Sequence, residues 1–437
     1  MNIATNDDCF RSMLQGQSQL PVSQLMWLNK LRASAVDRVS ALKIPTTRDE
    51  EWRFTDIAPL TKFLFQPADV VPYPQTANVS RFYLTEASIR LVFIDGVYTS
   101  QLSSNLSDLT KNSGAIVSNL STGIPEYAAM IKPHLGGYVE FGDNIFSALN
   151  TAFLHDGALV IVPRDAQVKM PVHLLFITTQ AKVVSYPRCL IVTEPNSAVT
   201  IFEDYVALQQ GTYVNNAVTE ITLANNASLN HIRVQRDSHQ AFHIGSCAVS
   251  LARSSRYQSV NVALGARISR YNLNVLLADT SAEATVDGLT LIAERQLADI
   301  HTCIDHAKSN GTSRQLHKCI VGGNARAVFS GKIMVRPDAQ HTNSFQSSRN
   351  LLLTPKARVD TKPQLEIFAD DVKCVHGATV GQLNNEEVFY LKSRGLSDTM
   401  ARNLLTYAFG AEIIDRIPIA SLRCQLEQIV LEQTQGG

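Results

Sequence analysis

The 437-residue sequence predicts a mainly β protein whose core lies between helical segments at both ends of the chain. Three observations lead to this fold class. Long helical patterns are nearly absent between residues 89 and 380, helical patterns return on both sides of that stretch, and short runs rich in Val, Ile, Thr and Phe fill it. These runs are Arg90–Tyr98, Ala158–Pro163, Val172–Thr178, Cys189–Thr193, Val199–Phe202, Val218–Leu223, Val328–Val335 and Gln364–Phe368.

The first predicted element is a helix from about Ser23 to Leu42. Ser23 would cap its N-terminus, because a serine oxygen can accept a hydrogen bond from a free backbone N–H of the first turn. Pro45 stops the pattern, and the charged and aromatic run Glu50–Asp56 that follows is predicted to be a docking loop. The apolar residues that recur at helical spacing are Leu25, Leu28, Leu31, Ala35, Val36, Val39 and Leu42.

A loose recurrence in the central stretch favours stacked coils. A small or polar residue precedes Ala and then a strand at irregular intervals that average roughly thirty residues, which is about the length of one three-strand coil of a β-solenoid. Stacking would bury the apolar face that a single coil leaves open. A β-sandwich has the same composition, so the spacing alone leaves both architectures open. The recurrences are Asn196–Ala198, Asn226–Ala227, Gly265–Ala266, Ser281–Ala282, Asn324–Ala325 and Lys356–Ala357.

Three helices are predicted after Leu383. Asn384 marks the start of the first helix and Gly395 its end, Ser397 starts the second, and Pro418 separates the second from the third. The apolar stripes of these helices are expected to pack mainly against one another, with a face left over for a partner. The predicted domains are residues 1–88, helical and mixed, 89–383, the β core, and 384–437, helical.

Charge, hydropathy and cysteine content disfavour several classes of protein. Lys plus Arg equals Asp plus Glu at 39 each, so nucleic acid and anionic membrane are not expected as partners. No apolar run reaches the length of a membrane helix, and no signal pattern opens the sequence, which predicts a cytoplasmic protein. The seven cysteines are scattered without a CxxC pair, which fits reduced thiols.

Cys374 and His376 are the first candidates for metal chemistry. If their segment is extended, the two side chains point to the same side, and Glu366 and Asp370 would share that side unless a bulge intervenes. A thiolate and an imidazole suit iron or zinc. Two ligands do not close a site, so the others would come from elsewhere, such as another chain. A buried structural pair is the alternative interpretation.

A second group of zinc-type residues lies upstream. Cys303 and Cys319 are surrounded by Ile and Val residues, so we interpret them mainly as small buried hydrophobic side chains. The group comprises His301, Cys303, His306, His317 and Cys319.

Two further patterns concern enzymatic activity. Gly331-Lys332 is followed by isoleucine rather than by Ser or Thr, so the phosphate-binding loop motif is missing and ATP hydrolysis would belong to a partner. The acids Asp360, Asp370 and Asp371 could form the carboxylate pair of a sugar-cleaving solenoid enzyme, although the 7% aromatic content offers few stacking platforms for sugars.

Several segments in combination resemble the SufB/SufD family of iron–sulfur cluster assembly proteins. The resemblance extends from about Glu50 to Ile414, and the form of Cys374–Thr379 together with the tail Leu404–Phe409 favours the SufD branch over the SufB branch. One departure is Val375, where the family usually has serine, and it leaves both candidate ligands in place. The segments are Glu51–Asp56, Ala148–Phe153, Ser330–Gln340, Ser347–Leu353, Ala369–Thr379 and Phe389–Leu396.

The resemblance implies a right-handed parallel β-helix between N-terminal and C-terminal helical domains. It also implies a complex with the paralogue SufB and two copies of the ABC-type ATPase SufC, which would dock on the C-terminal helices. Leu404, Leu405 and Phe409 are the docking candidates. His376, with Cys374 beside it, matches the family histidine at the SufB–SufD junction, where a nascent Fe–S cluster or iron would be held transiently.

The chain is therefore expected to be a scaffold rather than an enzyme. We expect no tightly bound cofactor in the isolated chain. The isolated chain could also pair with a second copy through its β-helix edge. Two other functions stay open on the sequence alone. One is a carbohydrate-active solenoid enzyme, and the other is a purely structural homodimer with no link to iron or to an ATPase.

Overall fold

The computed structural model of the protein describes residues 6–68, 76–87, 89–105 and 114–435. The part that precedes the regular β core is mixed, with short helices and a few short strands. Its elements are α1 (Asn6–Leu14), α2 (Met26–Ala41), α3 (Ala58–Thr61), β1 (Gln66–Pro67), α4 (Thr76–Val79), β2 (Ile89–Ile94), β3 (Val97–Tyr98), β4 (Ile116–Asn119), α5 (Leu120–Glu126), α6 (Ala128–Ile131) and α7 (Ile145–Ala152).

The core is a parallel β-helix of eight stacked coils, so the predicted solenoid is confirmed and the sandwich is wrong. Each coil gives one strand to each of two sheets. Sheet 1 contains β5 (Gly157–Val162), β8 (Arg188–Thr193), β10 (Val214–Leu223), β12 (Phe242–Leu251), β14 (Ile268–Leu277), β16 (Leu297–His306), β18 (Arg326–Val335) and β20 (Arg358–Ile367). Sheet 2 contains β6 (Val172–Thr178), β9 (Ala198–Ala207), β11 (Ser228–Arg236), β13 (Arg256–Ala263), β15 (Glu283–Ile292), β17 (Thr312–Val321), β19 (Asn343–Leu352) and β21 (Lys373–Gly381).

The expected three-strand coil is wrong, because each coil contains two long strands, most of them ten residues in length. The coil length does agree with the predicted spacing. In sheet 1, Phe242 pairs with Ile268 and Arg326 with Arg358, so in-register partners lie 26 to 32 positions apart. The recurring small residues occupy the corners between strands. Asn226 has a left-handed backbone with φ of 60°, which asparagine tolerates, and the alanine that follows it is buried.

Short strands extend the first coil at the N-terminal end of the β-helix. β2 pairs in parallel with β6, β3 pairs antiparallel with β2, and β4 pairs antiparallel with β5. The short strand β7 (Val183–Ser185) pairs in parallel with both β1 and β10. The regular coils thus begin at Gly157, whereas the predicted boundary at residue 89 coincides with the first strand added to sheet 2.

The two outer faces of the β-helix are covered by different parts of the chain. The N-terminal segment packs on sheet 1, where Phe10 and Phe65 share an apolar cluster with Phe242 and Ile268. The C-terminal helices α8 (Asn385–Ser393), α9 (Asp398–Ile414) and α10 (Ala420–Gln435) follow β21. The last two of these helices pack on sheet 2, through residues such as Ile413.

Sequence signals located the C-terminal helices better than the first long helix. The side chains of Asn384 and Ser397 cap α8 and α9 as predicted, by accepting hydrogen bonds from the amides of Glu386 and Met400. Ser23 does not cap α2. Its Oγ accepts from the amide of Leu25 in the turn before the helix, and α2 begins three residues later than expected.

The predicted docking loop Glu50–Asp56 docks on this chain's own β-helix. Its first turn is a 3-10 helix, and it lies against the outer face of sheet 1. There the hydroxyl of Thr55 donates to the buried carboxylate of Asp299 at 2.5 Å, and Glu50 forms an ion pair with Lys362 of β20. The loop therefore connects the N-terminal segment to the last coil. Within the described ranges, no helix is both long and apolar enough to cross a bilayer.

Candidate functional site

The last coil, formed by β20 and β21, is the exposed end of the β-helix. Each strand closes its sheet and pairs on one side only among the described residues. Long edge strands present unpaired N–H and C=O groups that can pair with another chain. Apolar side chains around this end are also exposed, which is typical of a protein-binding surface. They are Phe345, Ile367, Phe368, Val375 and Val380.

Cys374 and His376 both lie on β21 and face the interior of the last coil. Their in-register partners on β19 are Ser344 and Gln346, which are buried inside the β-helix. Parallel in-register residues point to the same face of a sheet. Cys374 is half-buried and His376 is exposed, because no further coil covers β21 in the described part of the chain. The two side chains therefore lie side by side at the uncovered end of the β-helix interior, which we call the mouth.

The expectation that Glu366 and Asp370 share this side of the strand is wrong. The chain turns after Ile367, so Glu366 lies on β20 in the other sheet, and Asp370 lies in the turn. Glu366 forms an ion pair with Lys332 at 2.7 Å on the outer face. Neither Gly nor Pro marks this turn, and its sequence signal is the pair Asp370-Asp371, since aspartate favours turns.

The side chain of Cys374 is partly packed against apolar neighbours. It packs against a small apolar cluster that includes Ile333 and Ala369. Burial raises the pKa of the Cys374 thiol above its ordinary value, while the backbone amide of Ser344 opposes the shift. The free side chain is therefore a thiol at neutral pH, and a bound metal ion would have to displace its proton. His376 is the more accessible ligand of the two.

The second group of zinc-type residues does not converge. His301 and Cys303 face outward from β16, whereas His306, at the end of the same strand, is fully buried and contacts Ser313 at 2.9 Å. His301 is already engaged by Glu51. Across the described residues, no three or more His, Cys, Asp or Glu side chains come together as a metal site.

The two cysteines of this group have different surroundings. Cys319 is buried in an apolar cluster, as expected from its neighbours in sequence. Cys303 is only half-buried and lines a cleft of about 420 Å³ between the N-terminal segment and sheet 1, so its expected burial is only partly correct. All seven cysteines are free thiols.

Two chains of buried polar side chains lie beneath the mouth, and sequence reasoning missed both. In the first, the amide nitrogen of Gln346 donates to Gln315 at 2.8 Å, and that of Gln315 donates to Thr302 at 2.7 Å. In the second, Ser344 and Ser313 share a hydrogen bond of 2.7 Å that leads to His306. A usable signal was present, since Gln315 and Gln346 recur one coil length apart in otherwise β-rich runs.

The acids proposed for sugar cleavage are engaged separately. Asp360 pairs with Arg326 at 2.6 Å, and Asp371 pairs with His341 at 2.9 Å. They lie on β20 and in the following turn and do not face each other across a groove in the way that a glycosidase pair does.

A groove between α8 and α9 exposes several of the docking candidates. It has a volume of about 630 Å³, and Tyr390 and Leu404 are 56% and 43% exposed at its rim, while Leu405 is half-buried within it. Phe409 has a different environment. Its ring is half-buried against the β-helix, with the ammonium of Lys318 4.6 Å from the ring centre.

The groove is continuous with the end of β21. A neighbouring cleft of about 540 Å³ brings Val380 and Gly381 together with Leu405 and Ala408. Only residues 382–384 separate the last residue of β21 from the first residue of α8. The strand that bears the two candidate ligands thus runs almost directly into the helices of the groove.

Comparison with known proteins covers nearly the whole chain. A family model described as "SUF system FeS cluster assembly, SufBD core domain" matches residues 176–409, and one described as "SufBD protein N-terminal region" matches residues 10–174. An iron–sulfur cluster assembly SufBD family protein of Synechocystis is 44% identical over 91% of this chain and 89% of its own length. The iron–sulfur cluster assembly protein SufD of Escherichia coli is 31% identical over 90% of each chain, and that of Bacillus subtilis is 26% identical over 92% and 93%.

Proposed function

The chain belongs to the SufB/SufD family of the SUF iron–sulfur cluster assembly system, and we propose that it acts there as a scaffold subunit of the SufD type. In this role it pairs with a SufB-like paralogue and binds a SufC-type ATPase, and a nascent cluster forms at the junction of the two scaffolds. The observation that carries the proposal is the position of His376 and Cys374 at the uncovered mouth of the β-helix.

The cluster is cargo at this site. Two ligands on one chain leave most coordination positions of an iron ion to be filled by the paralogue or by sulfide. Such a low ligand count holds iron weakly, which suits a site from which the finished cluster must leave. His376 would supply a neutral imidazole, and Cys374 would bind after loss of its proton, since burial raises the pKa of its thiol.

The SufB-like paralogue would pair with the last coil. Two exposed edge strands, one from each sheet, and an apolar rim that includes Phe345 and Val375 provide both backbone and side-chain contacts for a second β-helix. Pairing at this end would close the mouth over the two ligands. The same edge would permit a homodimer when the paralogue is absent.

The ATPase would dock in the groove between α8 and α9. Exposed Tyr390 and Leu404, with Leu391 and Leu405 beside them, give this groove the apolar character of an interface. Because three residues separate β21 from α8, a displacement of the helices would be transmitted to the strand that bears His376. We propose that ATP-driven association of two ATPase subunits reshapes the scaffold junction in this way and admits iron and sulfide.

A carbohydrate-active enzyme is the weaker candidate. Two of the three acids that it would use, Asp360 and Asp371, are engaged in separate ion pairs. The proposal assigns no catalytic residue to this chain and leaves ATP hydrolysis to the ATPase partner.

The proposal is tested by affinity purification of the chain from its own cells under anaerobic conditions. Subunit stoichiometry is measured by mass spectrometry, and iron and sulfide are quantified. Recovery of a SufB-like chain and two ATPase copies per scaffold pair, with iron, supports the proposal. Recovery of the chain alone and without iron, from cells that express all of the partners, contradicts it.

A further inference from the structure

A buried glutamine lies directly beneath the exposed histidine of the mouth. Gln346 of β19 is fully buried and is the in-register neighbour of His376 on β21. Neighbouring strands of a sheet lie about 4.8 Å apart, and the two side chains point to the same face. At this spacing the amide of Gln346 and the imidazole of His376 are neighbours that side-chain rotation can bring into hydrogen-bond contact.

The orientation of this amide follows from its partners. Its nitrogen donates to the oxygen of Gln315, whose own nitrogen donates to the hydroxyl of Thr302. The amide nitrogen of Gln346 thus points toward Gln315 in the preceding coil, and Oε1 is the amide atom that remains available. That oxygen is buried and has no hydrogen-bond partner in the described structure. An unsatisfied buried acceptor costs about 1–3 kcal/mol, so a donor is expected to reach it.

The opposite wall of the β-helix makes room for the amide. Gly331 of β18 faces Gln346, and a Cβ at this position would collide with the amide nitrogen and carbon of Gln346. The glycine thus allows the polar side chain to occupy the interior. The inward-facing neighbour of Cys374 differs, because Ser344 is already hydrogen-bonded to Ser313. Of the two candidate ligands, His376 is the one that lies above an unused acceptor.

We infer that Gln346 is a positioning residue for His376: its Oε1 accepts the ring N–H of the imidazole, which leaves the other ring nitrogen free to bind iron at the mouth. A neutral imidazole has one N–H donor and one acceptor nitrogen, so a single acceptor beneath it selects one tautomer and one ring orientation. Metal-binding histidines commonly have such a partner. The inference rests on the proposed role of His376, but the hydrogen bond can be tested without any cluster.

The direct test is NMR of the full-length chain labelled with ¹⁵N-histidine, without metal and at a fixed pH at which the His376 ring is neutral. The His376 signals are assigned with the His376→Gln variant. In the native chain one tautomer should predominate. In Gln346→Met, which keeps the side-chain length but replaces the amide oxygen with a thioether that accepts only weakly, the ring-nitrogen shifts should move toward those of an unrestrained imidazole. Ser348→Ala is the matched control, because Ser348 is buried on the same face of β19 but pairs with Ala378.

A second variant provides the test if Gln346→Met does not fold. Gln346→Asn keeps the amide but withdraws it by one methylene, so it should release the His376 ring in the same way. Ring shifts unchanged from the native chain in either folded variant would overturn the inference.

A functional measurement separates this inference from the proposed function. In the complex reassembled with its partners, Gln346→Met should lower the affinity for Fe²⁺, added anaerobically, by about 10- to 100-fold, the usual loss when the hydrogen-bond partner of a ligand is removed. If His376→Ala still accumulates cluster, the proposed function fails, but the NMR result still tests the hydrogen bond between Gln346 and His376. If His376→Ala is inactive but Gln346→Met has native shifts and native affinity, only the inference fails.

Discussion

The carboxylate of Glu51 lies 3.1 Å from Nδ1 of His301, although 250 positions separate the two residues in the chain. The other ring nitrogen of His301 lies 2.9 Å from the buried carboxylate of Asp299. Together with the ion pair between Glu50 and Lys362, these contacts hold the N-terminal segment against coils that lead to the mouth. The stability of this attachment should depend on pH.

The first prediction concerns that pH dependence. Burial alone would lower the pKa of His301, but the carboxylates of Asp299 and Glu51 more than offset it, so the pKa is raised. A group with a raised pKa stabilises the folded state fully below its unfolded pKa of about 6.5, and this contribution is lost as the pH rises through the folded pKa. His301→Gln should therefore lower the free energy of unfolding by about 1–2 kcal/mol at pH 6 and by less at pH 9.

Urea denaturation at the two pH values measures this difference. The buried Asp299 should account for most of it, because Glu51 is largely exposed and its contribution is screened by solvent. His341→Gln is the matched control, since His341 and its partner Asp371 are both exposed. The control should change the free energy of unfolding by less than about 0.5 kcal/mol at either pH. An effect of His301→Gln that is equal at pH 6 and pH 9 would contradict the prediction.

The second prediction concerns His376 as a ligand. His376→Ala should reduce cluster accumulation by more than about tenfold while leaving the complex assembled, because an exposed side chain contributes little to folding. The measurement is anaerobic reconstitution with iron and sulfide analysis, together with subunit stoichiometry. Ala378→Ser, two residues further along the same side of β21, is the control and should keep native accumulation. Native cluster levels on His376→Ala would rule out its role.

The third prediction concerns the apolar rim. Val375 is 58% exposed and lies in register with the exposed Phe345 on the outer face of the last coil. An arginine at Val375 would place a charge in the interface with the paralogue and should weaken binding by about 30-fold or more, equivalent to about 2 kcal/mol. Titration with the purified SufB-like paralogue measures this change. Met170→Arg, at an exposed apolar position at the opposite end of the β-helix, should bind as the native chain does. Equal affinities for all three chains would refute the proposed pairing surface.

The fourth prediction concerns the helical groove. Leu404→Glu should abolish ATPase capture in a pull-down and leave the melting temperature within a few degrees, because the leucine is 43% exposed and lines the groove. Leu431→Glu is the matched control, since this leucine is similarly exposed on α10 but does not line the groove. Capture of the ATPase by a folded Leu404→Glu variant would place the docking surface elsewhere. Phe409 is a poorer test, because its ring packs on the β-helix.

Local sequence signals predicted some features of this protein well. Asn384 and Ser397 were recognised as helix caps from their residue type and position, since capping depends on amides only a few residues away. Several strands were recognised from β-branched runs, although β11 to β17 were not among them, and the average coil length was recognised from recurring corner residues. The start of α2 was misjudged, because the hydroxyl of Ser23 completes a turn with Leu25 rather than the first turn of the helix.

Non-local features were predicted less well. The segment Glu50–Asp56 was recognised as a docking element, but its partner is the outer face of this chain's own sheet 1. Glu366 was grouped with Cys374 from an assumed continuous strand, and the turn after Ile367 places it in the other sheet. The number of strands in a coil was also wrong, because a coil of about thirty residues can be divided into two long strands or three short ones.

The sequence by itself determined a β-rich core, the helical ends and the two candidate ligands, because each follows from patterns within a few tens of residues. The tertiary structure decided which residues meet across coils. In-register partners in sheet 2 lie between 27 and 31 positions apart, so the spacing of Gln315, Gln346 and His376 by about one coil length does not by itself place them in register. Backbone hydrogen bonds between coils fix which residues are in register. The number of positions between these partners varies, because the corners differ in length from coil to coil.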